Sequence, residues 1–581
     1  MQRLVLNPRM PCANDCNAAT PCNEAGTSAC GGCLLVAYCS KACQTAHWPV
    51  HRQDCNSLLR KSTWEPSYFA EGREPQFLDD DPPKLEDFFH IYLWGDVPAV
   101  DVIRLSENEG REFRGSLDIL FAAPGNIRNA IYSVVNLPQS YRGPLNILVN
   151  DFELAMVARN VIFLLIFFLE DDPTMAAEYV LHIWYSALVT KQCHSMLQEK
   201  IKPVIKAVCD KIVHKPGSVL LSKTWSFGDS SLRLVLTRDR WFSLLSYFDV
   251  PRGLAKDSAH LLRANVTADL DKVDHFERDL CHKSPAARVA TAKFRHDGIL
   301  LPFGQRREEF MVPNPTIFYA GRPWPLVEDA DPTSEWPIKA AAEFNIGPAK
   351  NDVYGKLYHY LRQLFVDFHR QLRSLPLKFE HLHTDVRVLQ NYISGKQFDR
   401  IDASNLPDIG YIGVNETLRT LSPLLKPMTV NRHATLIMLF VNAINEMVLP
   451  EYCRSPLSRR YIRREDRIDK VRQYLTGKYL TSSYNTNELM VIEGINLIYD
   501  MDKYFNRFMK LRRFKEFGSN AGVQMKNKHT IIDPWPLKIP NGRPTKEARD
   551  YFALLLASGH TGQERYVEWK LKDDTEVEDV N

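Results

Sequence analysis

The sequence predicts two architectures in series: a small metal-organised module, then a large α/β domain interrupted by a mainly helical insertion. Three observations carry this reading. Eight of the twelve cysteines fall in the first 55 of 581 residues. Two short apolar runs, Leu117–Ala123 and Leu145–Val149, each lead into a stretch of helical periodicity, the alternation of a parallel α/β unit. A second group of strand-like runs follows beyond residue 350, after a long segment that reads mainly as helix.

The composition sets bounds. Lys plus Arg is 73 and Asp plus Glu is 70, a formal charge of +3. That excludes a globally basic nucleic-acid protein and an acidic solvating chain. Hydrophobic residues at 45% and charged residues at 25% are ordinary globular values. Met1 to Pro11 has no apolar signal core, and the longest apolar run, Val161–Leu169, is nine residues, too short to span a bilayer. The expectation is an intracellular chain, cytoplasmic or nuclear rather than secreted and without a membrane segment, in a compartment where clustered thiols hold metal.

The amino-terminal spacing is C-x2-C-x5-C-x3-C-x7-H-x3-C, from Cys30, Cys33, Cys39, Cys43, His51 and Cys55. Zinc takes four tetrahedral thiolate or imidazole ligands, so these six fall two short of two sites. Two of Cys12, Cys16 and Cys22 supply the remainder. Cys30-Gly31-Gly32-Cys33 is a knuckle in which glycines let the backbone turn tightly. Cys39 with Cys43, and His51 with Cys55, are i,i+4 pairs on one helical face. His47 shares that spacing and is expected as an exposed helix histidine. So short a segment needs its metal to fold.

Tyr38-Cys39-Ser40-Lys41-Ala42-Cys43-Gln44 and His47-Trp48-Pro49-Val50-His51 resemble the MYND-type zinc finger residue by residue. The resemblance covers residues 12–55 and implies two Zn2+ ions bound in interleaved, cross-brace fashion. It implies Cys12, Cys16, Cys39 and Cys43 around one ion and Cys30, Cys33, His51 and Cys55 around the other. The family usually opens with C-x2-C, whereas this chain offers Cys12-x3-Cys16 and then Cys16-x5-Cys22. Cys12 with Cys16 is preferred because the shorter loop closes more readily; Cys22 is the alternative to either of them. The resemblance also implies a protein partner docked through a proline-containing peptide at Gln44 and Trp48. An indole face suits proline rings, and Gln44 suits the peptide backbone. Between Cys12 and Cys55 the only Lys and Arg are Lys41 and Arg52, which argues against nucleic acid. The SET-type methyltransferase pattern, N-H-x-C with a cysteine-rich segment after it, is missing.

Beyond Cys55, the proline- and tryptophan-bearing stretch to residue 89 reads as a linker that packs through its aromatics. Leu117–Ala123 is a buried strand, broken by Pro124-Gly125-Asn126. Ile127, Ala130, Ile131, Val134 and Val135 mark an amphipathic helix. Leu145–Val149 is a second strand, and Asn150 with Glu153 forms a capping box for the helix through Leu169. The later strands are Leu377–Leu382, Phe398–Ala403 and Ala434–Phe440, with Leu418, Leu421 and Leu425 on one helix face between the last two. The expected division is a finger at 12–55, a linker at 56–89 and α/β halves at 90–172 and 351–445. Between the halves lies a helical insertion at 173–350, and after them a helical region at 446–570 and an acidic tail at 571–581.

The order of these halves is similar to class I S-adenosylmethionine-dependent methyltransferases, a Rossmann-like arrangement. That resemblance implies Gly125 in the cofactor loop and Asp151 on the ribose. The loop Ala122-Ala123-Pro124-Gly125-Asn126 has one glycine where such enzymes have two or three, and its proline stiffens the turn. Asp151 also suits a helix first turn. A cofactor and catalysis are therefore the secondary reading. Leu93-Trp94-Gly95, Asn108-Glu109-Gly110 and Val157-Ala158-Arg159-Asn160 resemble an uncharacterised domain. It is found behind MYND fingers in fungal proteins and in the axonemal dynein assembly factor family, and it implies a scaffold role. Two basic stretches, Arg454–Arg472 and Arg507–Lys515, read as solvated faces. His381 and His383, with Asp385, read as core or surface residues rather than a metal site.

Overall fold

The computed structural model describes residues 10–16, 21–78, 91–319, 324–393, 395–453, 465–475, 486–539 and 544–572. The finger contributes a two-stranded ladder, β1 (Ser28–Ala29) with β2 (Ala37–Tyr38). Among the described residues the main sheet has nine strands: β3 (Leu117–Phe121), β4 (Leu145–Asp151), β6 (Leu220–Phe227), β7 (Ser230–Thr237), β9 (Leu377–His383), β10 (Arg400–Asp402), β11 (Thr435–Phe440), β12 (Val523–Met525) and β13 (Arg565–Leu571). A separate antiparallel pair joins β5 (Leu188–Thr190) to β8 (Phe310–Pro313).

Across the main sheet the order is β12-β13-β11-β10-β3-β4-β9-β7-β6. From β11 to β7 every neighbouring pair is parallel. From β3 the chain passes to β4, goes out to the β6–β7 edge, comes back inward to β9, and then crosses to β10 on the other side of β3. The order therefore reverses between β3 and β10, where open α/β sheets place their ligand crevice.

Alternating side chains sort into two cores, as a pleated strand requires. Ile119, Phe121, Ile147, Val149, Ile437 and Leu439 join one cluster, while Leu120, Leu148, Leu436, Met438 and Phe440 join the other. The first core lies under the helices Leu154–Leu169, Pro173–Tyr185 and Val353–Ser374. Phe163 stacks on Trp184 at 4.5 Å there, and Phe167 meets Phe368 edge-on at 5.0 Å. The second lies under Gly413–Leu421, Asp502–Leu511 and Lys546–Ala557. Among the described residues no helix is long and apolar enough to cross a membrane.

Several expectations need correction. The segment 173–350 is not helix alone: its β6–β7 hairpin extends the main sheet, turning at Gly228 with φ +62°, the geometry of a type II′ turn. The region 446–570 likewise supplies β12 and most of β13. Asn150 caps nothing. It ends buried in β4, its amide donating to Ala122 O and Thr384 O at 3.1 Å each, and Glu153 is the cap of Leu154–Leu169. The helix carrying Leu418 and Leu421 stops at Leu421, and Ser422–Leu424 follows as a 3-10 turn.

Residues 56–78 pack against the segment that follows the first α/β half. Arg288 lies over the Trp64 ring at 4.9 Å, and Arg73 pairs with Asp274 at 2.6 Å. Most of the first basic stretch, and the tail from residue 573, lie outside the described residues.

Candidate metal centre

The finger is built around the helix Lys41–Cys55, capped by Ser40, whose Oγ accepts the Cys43 N–H at 3.3 Å. Cys39 stands just before the cap. Cys43, His47, His51 and Cys55 then recur at i,i+4. At the knuckle, Leu34 takes φ +57°, its N–H donates to Cys30 O at 2.9 Å, and the Leu35 N–H donates to Cys33 Sγ at 3.4 Å.

Two tetrads result: Cys12, Cys22, Cys39 and Cys43, and Cys30, Cys33, His51 and Cys55, with all ligand atoms of each within 4.8 Å of one another. In chain order the pairs alternate between tetrads, the interleaving expected of a cross-brace. In the first, Sγ of Cys39 lies 3.6 Å from Cys22 and 3.4 Å from Cys43. In the second, Cys30 and Cys55 are 3.8 Å apart, and Cys33 Sγ lies 3.4 Å from His51 Nε2. Thiolates about 2.3 Å from a tetrahedral zinc sit about 3.8 Å apart, so both donor sets fit the ion. His51 Nδ1 is buried without a partner, leaving Nε2 as the nitrogen directed at the thiols.

Among the described residues the fourth thiol of the first tetrad is Cys22, the alternative to Cys12 or Cys16. The backbone explains it: Cys12 N–H donates to Glu24 O at 2.9 Å, Gly26 N–H donates to Met10 O at 2.7 Å, and Pro11 bridges Ala25 antiparallel. That bridge brings residue 22 back beside residue 12. Cys16 ends the 3-10 turn Ala13–Cys16, and its side chain lies outside the described residues.

Electrostatics separate the sites. All four residues of the second tetrad are buried, against one of four in the first. Burial pushes the Cys33 thiol up to about 12 and His51 down to about 4. Ser40 and Cys39 hold Cys43 down at about 7. Arg60 donates to Cys55 Sγ at 3.0 Å, and a dication would compensate the remaining thiolates of the tetrad. His47, expected to be exposed, is buried; its Nδ1 pairs with Tyr38 OH at 3.0 Å and its ring stacks on His51 at 5.8 Å.

One face of the finger is locked to the α/β domain. Asn351 donates through Nδ2 to Cys33 O and through its N–H to Leu34 O. A side chain at Gly304 would strike Ala13 and Val36. Arg288 donates to Leu59 O and Lys61 O at 2.8 Å. The opposite face is open: Trp48 is 39% exposed, its ring edge-on to His51 at 6.0 Å. Gln44, one turn earlier, accepts from Lys41 Nζ at 3.1 Å.

The second candidate site lies at the carboxyl ends of β3, β4 and β10. Gly125 has φ +66°, and its N–H donates to Asp151 Oδ2 at 2.9 Å. The other carboxylate oxygen, Oδ1, accepts the Glu153 N–H at 2.8 Å, and burial pushes Asp151 up to about 7. Beside it stands a residue the sequence reading missed, Glu335, fully buried. Asn126 and Tyr185 donate to its carboxylate, as does Gly95 N–H at 3.0 Å, and Arg128 lies 3.9 Å away. Asp402 is occupied by Asn129 Nδ2 and Ser404 N–H, both at 2.9 Å. These residues do not fit S-adenosylmethionine as they stand: the carboxylate that would take the ribose is spent on backbone N–H groups.

His381 is a core residue, burial pushing it down to about 3, while His383 Nε2 bonds Phe152 O at 2.9 Å and Asp385 holds Arg387. They form no metal cluster.

No curated protein and no solved structure matches the chain. Residues 93–189 match the model of a domain of unknown function, DUF4470, a stretch from Leu93 through β3, β4 and the Pro173–Tyr185 helix to β5. Residues 12–55 match the MYND finger model, so the amino-terminal module is a MYND zinc finger, a class whose members are generally protein-interaction modules.

Proposed function

We propose that this chain is an adaptor whose MYND finger docks a proline-containing peptide of a partner protein across Gln44 and Trp48, while the α/β domain acts as scaffold. The observation that carries this reading is the division of the finger into two faces. One is fixed to the domain through Asn351, and the other presents a half-open indole on a helix positioned by metal ligands. A large apolar ring left in water on a rigid helix is a docking element. The test is peptide capture: Trp48→Ala abolishes retention of a proline-rich peptide and leaves two zinc ions per chain, and unchanged retention overturns the groove.

The strand order supports a Rossmann-like domain of the methyltransferase type, with β13 reversed between β11 and β12 and β6 reversed at the far edge. The occupied crevice supports reading that fold as scaffold rather than enzyme. The resemblance of residues 90–170 to fungal MYND proteins and the dynein assembly factor family supports an assembly role in the cytoplasm or nucleus.

A further inference from the structure

Parallel strands are ordinarily covered on both faces. The second face of β7 is covered only in part: Val235 packs into the second core beside Leu382, while Arg233 is half-exposed. Leu232, Leu234 and Leu236 are buried in the core, whereas Arg233 and Val235 face the other way, beside Leu220, Ser222 and Thr224 of β6. With Glu380 of β9 and a wall formed by Val388, Asn391 and Tyr392, they enclose an open groove of about 550 Å³. Such a volume accommodates several side chains of a bound segment.

The lining has two characters. Leu220, Val388 and Tyr392 are 46%, 42% and 39% exposed, three large apolar side chains converging on one hollow. Glu380 is shared by two cations, Arg233 at 3.2 Å and Lys396, and the exposed Lys378 precedes it by two residues on the same face. Within the groove Arg233 and Glu380 balance, and Lys396 and Lys378 beside Glu380 leave its β9 edge net positive.

We propose that this groove is a second docking site, for an acidic segment of a partner protein that seats one large apolar residue between Leu220 and Tyr392. Its carboxylates would face Arg233, Lys378 and Lys396, which Glu380 alone does not neutralise. The site is separate from the finger and does not depend on the proline-peptide reading.

The test uses the full zinc-loaded chain and a phage-displayed library of random dodecapeptides, followed by fluorescence anisotropy with the selected peptides. The expected peptides are rich in Asp and Glu around a Leu or aromatic residue. Their Kd rises at least tenfold with Arg233→Glu and with Val388→Glu, an exposed substitution on the groove wall, and it rises with added salt. Trp48→Ala leaves it unchanged. Peptides without acidic enrichment, no enrichment at all, or acidic binders indifferent to both groove variants overturn the proposal. So do acidic binders lost with Trp48→Ala alone.

Discussion

Asn351 binds the zinc knuckle from outside the finger, its Nδ2 donating to Cys33 O at 3.0 Å while its N–H donates to Leu34 O at 3.1 Å. The next residue, Asp352, caps the 22-residue helix Val353–Ser374, accepting from Gly355 N–H at 2.8 Å and from Phe303 N–H at 2.7 Å. Metal, knuckle and a principal core helix are thus joined by two consecutive residues. Asn351→Ala leaves Cys33 O without this donor and is expected to cost about 1–3 kcal/mol in urea denaturation. Zinc content stays at two, because no ligand changes. Loss of metal instead of stability would mean that the knuckle depends on Asn351 for its geometry.

The tetrads of this finger predict a clean split between two cysteines. Cys22→Ser lowers zinc from two ions per chain to about one, and Cys16→Ser leaves both. Elemental analysis of purified protein decides it; the reverse pattern would return the first site to the shorter loop. With the second tetrad fully buried, chelator is expected to strip the first ion faster, in two kinetic phases.

Cys22 shows why part of this site was hidden in the sequence. Loop closure favours the nearer thiol, whereas the Pro11–Ala25 bridge, made of backbone groups, brings Cys22 back beside Cys12. His47 was misjudged for a similar reason: helical spacing gives its face, while only the docked domain and Tyr38 decide its burial. The parallel strands were legible because LDILF, LNILV and TLIMLF are nearly unbroken apolar runs. β13 was not, since RYVEWKL carries a glutamate at its centre. Glu568 is fully buried there. Its Oε1 accepts Ile531 and Ile532 N–H at 2.8 and 2.9 Å, and its Oε2 accepts Thr530 N–H and Lys526 Nζ at 3.0 Å each. β6 escaped notice because Leu220, Ser222, Thr224 and Ser226 on its outer face are exposed.

Glu335 gives the prediction for the crevice. A ligand stabilises by RT ln(1 + [L]/Kd), so millimolar S-adenosylmethionine is expected to leave Tm unchanged. Glu335→Ala removes the carboxylate facing the buried Arg128 and is expected to destabilise by about 3–5 kcal/mol. A cofactor-dependent rise in Tm of the unaltered chain would show that Asp151 releases Gly125 on binding.

His381 supplies a pH test of the core. It sits in β9 opposite Val149 of β4 and Leu234 of β7, fully buried, with neither ring nitrogen hydrogen-bonded. Burial pushes its pKa down from 6.5 to about 3. The unfolded chain therefore takes up a proton below pH 6.5 that the folded chain refuses. Stability is lost as pH falls through that window, at about 1.4 kcal/mol per pH unit from this group. His381→Phe removes that increment while keeping an aromatic volume in the core. Between pH 6 and 4 the variant's stability is expected to fall less steeply than the parent's, and subtracting the two curves cancels the acid release of zinc that both share. Parallel curves would mean that His381 reaches water or an acceptor when protonated, and that β9 opens locally to admit it.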